Sequence, residues 1–169
     1  MFGLQIARAA GAVTIITSSS DEKLVKAKEL GATHCINYRT SDWAAEVKSV
    51  THGRGADHIL EVGGIGTLLQ SFQAVAWNGL IHSIGHITNM VGDHKNGHSD
   101  ATFPIIDKPY TLRRIIVGPR EQLQDLLACF TANSIRLIIN RVFEFEKAQE
   151  AYEYLWGPSH IGKVVIRIP

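Results

Sequence analysis

The stretch that decides the fold is Val13-Thr14-Ile15-Ile16-Thr17-Ser18-Ser19-Ser20-Asp21-Glu22-Lys23. Residues 13–17 favour β structure and predict a short, continuously apolar strand of the type that parallel sheets bury on both faces. Three serines then lead into a predicted helix, where Ser19 and Glu22 have the spacing of a capping box. A buried strand that ends in small polar residues at a helix start predicts an anion-binding corner, because backbone N–H groups and hydroxyls converge there. Lys23, one turn into the helix, adds a positive charge to that corner.

Strand and helix patterns alternate along the chain with a spacing of roughly 20–25 residues, which predicts an α/β fold with a parallel sheet and helices on both faces. The predicted strands are 13–17, 34–37, 59–62, 80–84, 111–117, 142–145 and 163–168. Helices are predicted over 2–10, 20–30, 67–76, 120–130 and 147–155, with another through 43–50 that Ser41 or Asp42 would cap. Asn78-Gly79 is interpreted as a turn, and the polar segment 88–107 as a long loop.

Composition predicts one globular domain of 169 residues, with 45% hydrophobic and 20% charged residues. The formal net charge of +1, without a run of basic residues, indicates no nucleic-acid partner. No window approaches the ~18 apolar residues of a membrane span, and no signal pattern opens the chain. Cys35 and Cys129 are expected to be buried thiols in a reducing compartment, so we expect a cytoplasmic protein.

Several motifs in a fixed order resemble the medium-chain dehydrogenase/reductase superfamily, in its quinone-oxidoreductase-like and zinc-type alcohol-dehydrogenase-like branch. They cover nearly the whole chain: Asp21-Glu22-Lys23-Leu24, Ala27 to Ala32, Ile36-Asn37-Tyr38-Arg39, Gly53 to Asp57, Glu61-Val62-Gly63-Gly64, Val142 to Phe145, Ala151 to Leu155 and Gly162 to Ile166. The resemblance implies a Rossmann-like coenzyme-binding domain over residues 1–169.

The resemblance also implies that the chain lacks two parts of the family pattern. One is the first, central strand with its glycine-rich, pyrophosphate-binding turn, which in the family precedes the helix that residues 2–7 resemble. The other is the N-terminal catalytic domain, against which residues 141–169 normally pack. Without the central strand, 13–17 and 59–62 lose their mutual neighbour, and each unsatisfied buried backbone group costs about 1–3 kcal/mol. We therefore expect a marginally stable chain that re-pairs these strands or associates through the gap.

Hydroxyls at the end of the first strand favour NADP(H) over NAD(H) as the coenzyme. An NAD-selective Rossmann domain usually places Asp or Glu there to bind the ribose 2′-hydroxyl. Ser18 and Ser19 stand there instead, and with Lys23 they would accept a 2′-phosphate. By the family resemblance, Tyr38 lies against the adenosine phosphate. The alternatives are that the serines only cap the helix and that Lys23 is surface charge.

Small residues at the ends of later strands predict the nicotinamide end of the coenzyme site. Gly63, Gly64 and Gly85 follow strands at the carboxyl edge of the sheet, where ligands bind in open α/β folds; the alternative is plain turn glycines. The resemblance places Glu61 near the nicotinamide ribose and Val117 near the nicotinamide, and Val62 is a further candidate coenzyme-binding residue.

No metal site or catalytic residue is predicted in this chain. His82, His86, His94 and His98 fall close together in sequence, but the first two would lie ~13 Å apart on a strand. No nucleophile–base arrangement stands out, and nothing matches the zinc ligands of the family.

The leading hypothesis is therefore the coenzyme-binding portion of an NADP(H)-dependent oxidoreductase that transfers hydride to or from a carbonyl, alcohol or activated alkene. The alternative is a non-catalytic remnant, or an interaction module that forms a homodimer through its sheet. A different nucleotide-binding Rossmann protein, such as a methyltransferase, is a third hypothesis.

Overall fold

The structure is a computed structural model that describes residues 1–85, 108–157 and 160–169. Strands and helices alternate from the first residues to the last. The helices are α1 (Phe2–Ala9), α2 (Asp21–Glu29), α3 (Trp43–Val50), α4 (Ile65–Ala74), α5 (Arg120–Ala132) and α6 (Ala148–Trp156), with a 3₁₀ turn at Phe145–Lys147. The strands are β1 (Ile15–Ser18), β2 (His34–Asn37), β3 (Ala56–Glu61), β4 (Val75–Ser83), β5 (Tyr110–Arg114), β6 (Ile139–Glu144) and β7 (Lys163–Arg167).

All strand pairs in the described residues are parallel, as the α/β prediction requires. They form three ladders, in the orders β1-β2, β3-β4-β5 and β6-β7. The pairs β1-β2 and β3-β4 are each joined through a helix, α2 and α4 respectively, which is the connection that parallel strands need. The predicted fold class is therefore confirmed. No helix among the described residues is both long and apolar enough to cross a bilayer.

The chain divides into two compact units, and the larger comprises residues 15–24 and 34–117. Its first core cluster is built on Ile36, Ala44, Val47 and Ala74, with Ile15, Trp43, Ala56 and Ile59 packed against it. This cluster joins side chains of β1 and β2 to side chains of β3 through helices α3 and α4. A second cluster, of Phe72, Val75 and Ile81, packs α4 under β3, β4 and β5.

The smaller unit comprises residues 1–14, 25–33 and 118–169. The Phe2 ring of α1 lies 5.7 Å from the Phe130 ring of α5, and Gln5 Nε2 donates to the carbonyl of Arg136 at 2.7 Å. Thr14 and Thr33 exchange two hydrogen bonds, each from a backbone N–H to the other side-chain hydroxyl, at 3.1 Å. These contacts hold the first helix and the turn after α2 in place.

In the described residues, the β1-β2 ladder is not hydrogen-bonded to the β3-β4-β5 ladder. Strand β1 pairs with β2, and β3 pairs with β4, but β1 and β3 do not pair with each other in the described residues. Direct re-pairing, one of the outcomes expected from the sequence, is therefore not what this structure shows. The two ladders are instead connected by the apolar cluster under α3.

Three local predictions are wrong. The capping serine of α2 is Ser20, whose Oγ accepts from the backbone N–H of Lys23 at 3.4 Å, and not Ser19. Asn78-Gly79 is not a turn between elements, since β4 continues through it with Asn78 at a φ of 57°. The first strand begins at Ile15 rather than Val13: the Thr14 N–H donates to the Thr33 hydroxyl instead of a neighbouring strand, and Val13 is 72% exposed. The segment 88–107 lies outside the described residues.

Truncating Phe72 tests which helix face forms the core. Phe72 is 1% exposed, whereas Leu69 on the same helix is 53% exposed. Phe72→Ala is expected to lower the free energy of unfolding by about 3–5 kcal/mol, because it removes buried surface and leaves a cavity. The matched control Leu69→Ala should change it by less than about 0.5 kcal/mol. Urea unfolding followed by circular dichroism measures both, and equal effects would contradict this packing.

Candidate coenzyme site

The ladder between β1 and β2 brings two predicted residues, Ser18 and Tyr38, into direct backbone contact. Ser18 is the last residue of β1 and lies opposite Asn37, the last residue of β2. One residue further on, the Tyr38 N–H donates to the Ser18 carbonyl at 3.1 Å. Parallel strands end at the same edge of a sheet, so the two candidate phosphate-binding groups lie side by side. The Tyr38 ring is 49% exposed at this edge.

The serines form the entry to helix α2, and two of their hydroxyls serve the backbone. Ser18 Oγ accepts from the N–H of Ser20 at 3.2 Å, and Ser20 Oγ accepts from the N–H of Lys23. These bonds satisfy donors that the start of a helix otherwise leaves unpaired. Ser20 thus caps the helix, and Ser18 holds the backbone of that capping residue. Each hydroxyl still carries a proton that it can donate, and Ser19 is half-buried beside them.

A third residue of this corner, Asn37, was not singled out by the sequence. Its Nδ2 donates to Asp21 Oδ1 at 2.7 Å, and its Oδ1 accepts from the Arg39 N–H at 3.0 Å. The amide therefore holds the carboxylate at the start of α2 and fixes the backbone of an exposed arginine. Only position in the sequence could have indicated this role, because Asn37 ends β2 and Arg39 follows it, next to β1.

The end of β3 is organised by Glu61, which is only 4% exposed. Its Oε1 accepts from the N–H groups of Gly63 and Gly64 at 2.7 and 3.1 Å, and from Thr67 Oγ1 at 2.6 Å. Its Oε2 accepts from the Ser71 hydroxyl. A buried carboxylate needs such donors because burial without them is very costly. The carboxylate thus points into the start of α4, and its hydrogen bonds are made within the protein.

Two of the predicted glycines are required by close packing at the same edge. A Cβ on Gly63 would lie 2.2 Å from Thr67 Oγ1, and one on Gly85 would lie 2.5 Å from the Val62 carbonyl oxygen. Gly64 has a φ of 89°, a conformation that side chains disfavour. The glycines therefore keep the turns after β3 and β4 compact and leave the backbone approachable.

Apolar side chains surround these turns and stand open to solvent. Val62, after β3, is 49% exposed, and Val117, after β5, is 85% exposed. Ile84 and Ile116 contribute two more exposed apolar side chains. The ladder places them together, because Ser83 of β4 pairs with both Glu61 and Arg114. An apolar edge with approachable backbone groups suits a flat heteroaromatic ring.

A cavity lies elsewhere, in the smaller unit. It measures about 560 Å³ and is lined mainly by apolar side chains of α5 and the segment that follows it, including Leu123, Leu127, Phe130 and Leu137. None of the ten residues proposed from the sequence lines it. The candidate site is thus an open strand edge in the part of the chain described, and not this cavity.

The geometry defines a class of protein: parallel strands joined by helices, with polar and glycine-rich turns at their carboxyl ends, form a Rossmann-type nucleotide-binding domain. A family model described as zinc-binding dehydrogenase matches residues 1–132. The chain belongs to the zinc-binding dehydrogenase family.

Individual relatives agree with this assignment. A zinc-type alcohol dehydrogenase-like protein of Schizosaccharomyces pombe is 43% identical over 176 residues, covering 99% of this chain and 48% of that protein. The 2-haloacrylate reductase of a Burkholderia species is 28% identical over 167 residues, covering 95% of this chain and 49% of the reductase. The crystal structure of a candidate alcohol dehydrogenase from Sinorhizobium meliloti 1021 superposes with a TM-score of 0.85 at 40% identity, covering 98% of this chain and 47% of that one.

The chain spans about half the length of the curated relatives that it matches. The relatives include an NAD-dependent alcohol dehydrogenase and a 2-haloacrylate reductase. The resemblance seen in the sequence is therefore confirmed.

The described residues contain no three-ligand site for the zinc named in the family description. Across residues 1–85, 108–157 and 160–169, no three His, Cys, Asp or Glu side chains come together as metal ligands. Three of the clustered histidines, His86, His94 and His98, lie outside the described residues, and His82 is described below. No step of the proposed chemistry is therefore assigned to zinc in this chain.

Replacing Glu61 tests its structural role. Glu61→Gln replaces one carboxylate oxygen, which accepts hydrogen bonds, with an NH₂ group, which donates them. Because the partners of the carboxylate are themselves donors, the new NH₂ group would face a donor and the hydrogen bond would be lost. We expect the free energy of unfolding to fall by about 1–3 kcal/mol. The control Asp57→Asn, at an exposed ion pair with Arg54 in the same strand, should change it by less than about 0.5 kcal/mol. Chemical unfolding measures both, and an unchanged Glu61→Gln stability would contradict the network.

Proposed function

We propose that the chain is the coenzyme-binding portion of an NADP(H)-dependent oxidoreductase that transfers hydride to or from a carbonyl, an alcohol or an activated alkene. The observation that carries the proposal is the contact of Ser18 with Tyr38 at the shared end of β1 and β2. It joins the residue whose type favours a 2′-phosphate to the residue that the family places against that phosphate.

Charge at this corner supports the phosphorylated coenzyme. No carboxylate ends β1, so nothing at Ser18 or Ser19 repels a 2′-phosphate. The nearby carboxylate, Asp21, is held by the Asn37 amide. Lys23 is half-buried one turn into α2, and Arg39 is exposed next to Tyr38. Ammonium and guanidinium groups make strong charge-assisted hydrogen bonds to phosphate. Because the relatives include an NAD-dependent alcohol dehydrogenase, the preference for NADP(H) is supported by the residues at this corner and not by family membership.

The other end of the proposed site would hold the nicotinamide and its ribose. When bound, the nicotinamide supplies or accepts the hydride, which is chemistry that belongs to the coenzyme. Val62 and Val117 would pack against the ring, and Gly63, Gly64 and Gly85 would allow close approach to the backbone. Glu61 would act by holding the turn, since its carboxylate is already hydrogen-bonded. We assign no catalytic residue to the described part of this chain.

The exposed apolar side of the C-terminal segment supports a further proposal about the longer relatives. Tyr152, Leu155 and Trp156 of α6 are 69%, 48% and 92% exposed. We propose that residues 141–169 pack, in a protein of the relatives' length, against the half that this chain does not match. Such packing would remove from water a patch that monomeric proteins rarely expose.

A second candidate function is a non-catalytic module that forms a homodimer through its sheet. The observation that favours it is the outer edge of β5, which pairs only with β4 among the described residues. An unpaired strand edge readily adds another strand.

A cytoplasmic location is part of both proposals, and it is supported by Cys35 and Cys129, which form no disulfide.

Replacing Lys23 tests the phosphate-binding corner. Lys23→Gln is expected to weaken NADPH binding about five- to tenfold, because one charge-assisted hydrogen bond to phosphate is lost. NADH binding should change by less than about twofold, because NADH has no 2′-phosphate. Lys26→Gln, on the exposed part of the same helix, is the matched control. Quenching of tryptophan fluorescence during titration gives both dissociation constants.

Two outcomes of that titration would contradict the proposal. Equal weakening of NADPH and NADH would show that Lys23 does not read the 2′-phosphate. Saturable binding of neither coenzyme below about millimolar would remove the coenzyme function from this chain and leave the module hypothesis.

A proline in β5 tests association through the sheet. The Ile115 N–H donates to Ser83 on β4 at 2.9 Å. Backbone groups alternate along a strand, so the Leu112 N–H points to the open edge. Leu112→Pro is expected to convert a dimer into a monomer in sedimentation equilibrium while the far-ultraviolet circular dichroism is unchanged. A dimer that survives this substitution, or a wild-type monomer, would contradict association through β5.

A further inference from the structure

Two histidines on neighbouring strands of the larger unit form a close pair that the coenzyme site does not use. His58 lies on β3 and His82 on β4. In the ladder, His58 is opposite Leu80 and Leu60 is opposite His82. The histidines are therefore diagonal neighbours on one face of the sheet. Their rings are stacked, with centroids 5.6 Å apart and planes inclined by 22°.

The nearest ring nitrogens of this histidine pair are His58 Nδ1 and His82 Nε2, which lie 3.3 Å apart. Two arrangements bring imidazole nitrogens to this distance. One is an N–H···N hydrogen bond between the rings. The other is a shared tetrahedral metal ion, because two bonds of about 2.0–2.1 Å at the tetrahedral angle place their nitrogens about 3.3–3.4 Å apart.

The protonation state and the exposure of the pair favour metal binding. Burial lowers the pKa of His82 below its usual 6.5, and the neighbouring His58 and Arg113 lower it further. His82 is therefore largely neutral at neutral pH and can offer the lone pair that a metal ligand needs. His58 is exposed, so water can reach the pair and complete the coordination. Neutral imidazole is a preferred ligand for zinc, copper and nickel ions.

One neighbouring charge opposes a cation at this place. Arg113 of β5 lies opposite His82 in the ladder and carries a permanent positive charge. On β3, the neighbouring Asp57 is ion-paired with Arg54, and its side chain alternates to the other face. Arg113 is therefore expected to limit the affinity for a metal ion. Removing its charge should strengthen metal binding, whereas removing either histidine should weaken it.

We propose that His58 and His82 form a two-histidine site for a divalent transition-metal ion of the zinc type on the sheet of the larger unit. His58 Nδ1 and His82 Nε2 are the protein ligands, and water completes the tetrahedron. The ion would link β3 to β4 and so stabilise the folded chain by mass action.

Titration of the chelator-treated full chain with zinc chloride at pH 7.5, followed by calorimetry, tests the site. His58→Gln and His82→Gln are each expected to weaken zinc binding at least about tenfold, because loss of one of two ligands leaves a single imidazole. The control His34→Gln, on β2, should leave the affinity unchanged. Arg113→Gln should strengthen binding by removing the repelling charge.

Each result of this titration decides the proposal. Zinc affinity that is lost in both pair variants and raised in Arg113→Gln supports the site. Zinc binding that His58→Gln and His82→Gln leave unchanged overturns it, and so does the absence of binding to the wild-type chain, in which case the pair is a hydrogen bond only. Circular dichroism of each variant shows that it is folded before its affinity is compared.

The metal-free pair also predicts how stability depends on pH. The lowered pKa means that the folded chain binds a proton at His82 less readily than the unfolded chain does. Its contribution to stability is therefore complete above the unfolded value of about 6.5 and is lost as the pH falls through the lower folded value. The urea midpoint should fall between pH 7 and pH 5 more steeply in the wild type than in His82→Gln. Parallel pH profiles would contradict this.

Discussion

The carboxylate of Glu61 is the interaction on which the nicotinamide half of the candidate site depends. Its side chain gathers the N–H groups of Gly63 and Gly64 and the hydroxyls of Thr67 and Ser71. Its backbone carbonyl also accepts from the N–H groups of Ile84 and Gly85, at 2.8 and 3.2 Å. One residue thus fixes the turn after β3, the start of α4 and the end of β4. The apolar edge lies where these three elements meet, so its shape follows from a carboxylate that the protein fully satisfies.

The adenosine half depends on backbone pairing rather than on a buried side chain. The β1–β2 ladder aligns Ser18 with Asn37, and the N–H of Tyr38, the first residue after β2, donates to the Ser18 carbonyl. This ladder is only four residues long and has no hydrogen-bonded neighbour on the β3 side in the part of the chain described. It is supported instead by Ile15 and Ile36, which pack into the cluster that contains Ala44 and Ala74. Apolar packing through α3 therefore performs the task that a continuous ladder performs in an uninterrupted sheet.

The sequence alone predicted those features that arise from short-range chemistry. The bounds of β2 and the capping of α3 by Asp42 follow from β-branched residues, turn residues and an N-cap side chain, and both are as expected. Features that depend on tertiary contacts were not predicted. Asn78 pairs through its N–H with the carbonyl of Pro109 at 2.8 Å, which draws an apparent turn into β4.

In the candidate site, too, local features were predictable and tertiary contacts were not. The residue types were readable from the sequence, since serines, glycines and a lysine at strand ends are local signals. Their roles were not, because a hydroxyl or a carboxylate is assigned by its partner. The four donors that bind the Glu61 carboxylate and the two partners of the Asn37 amide could not be read from the sequence.

The Asn37 side chain also affects the charge at the proposed phosphate-binding corner. The absence of a carboxylate at the end of β1 is necessary for a 2′-phosphate, but Asp21 stands only a few residues away at the start of α2. By binding Asp21 Oδ1, the Asn37 amide supplies a donor to that carboxylate and occupies one of its oxygens. The same amide holds Arg39 through its backbone. In the proposed NADP(H) site, selectivity for phosphate would therefore depend on the two strand ends together, where one carboxylate is retained and two cations stand at the edge.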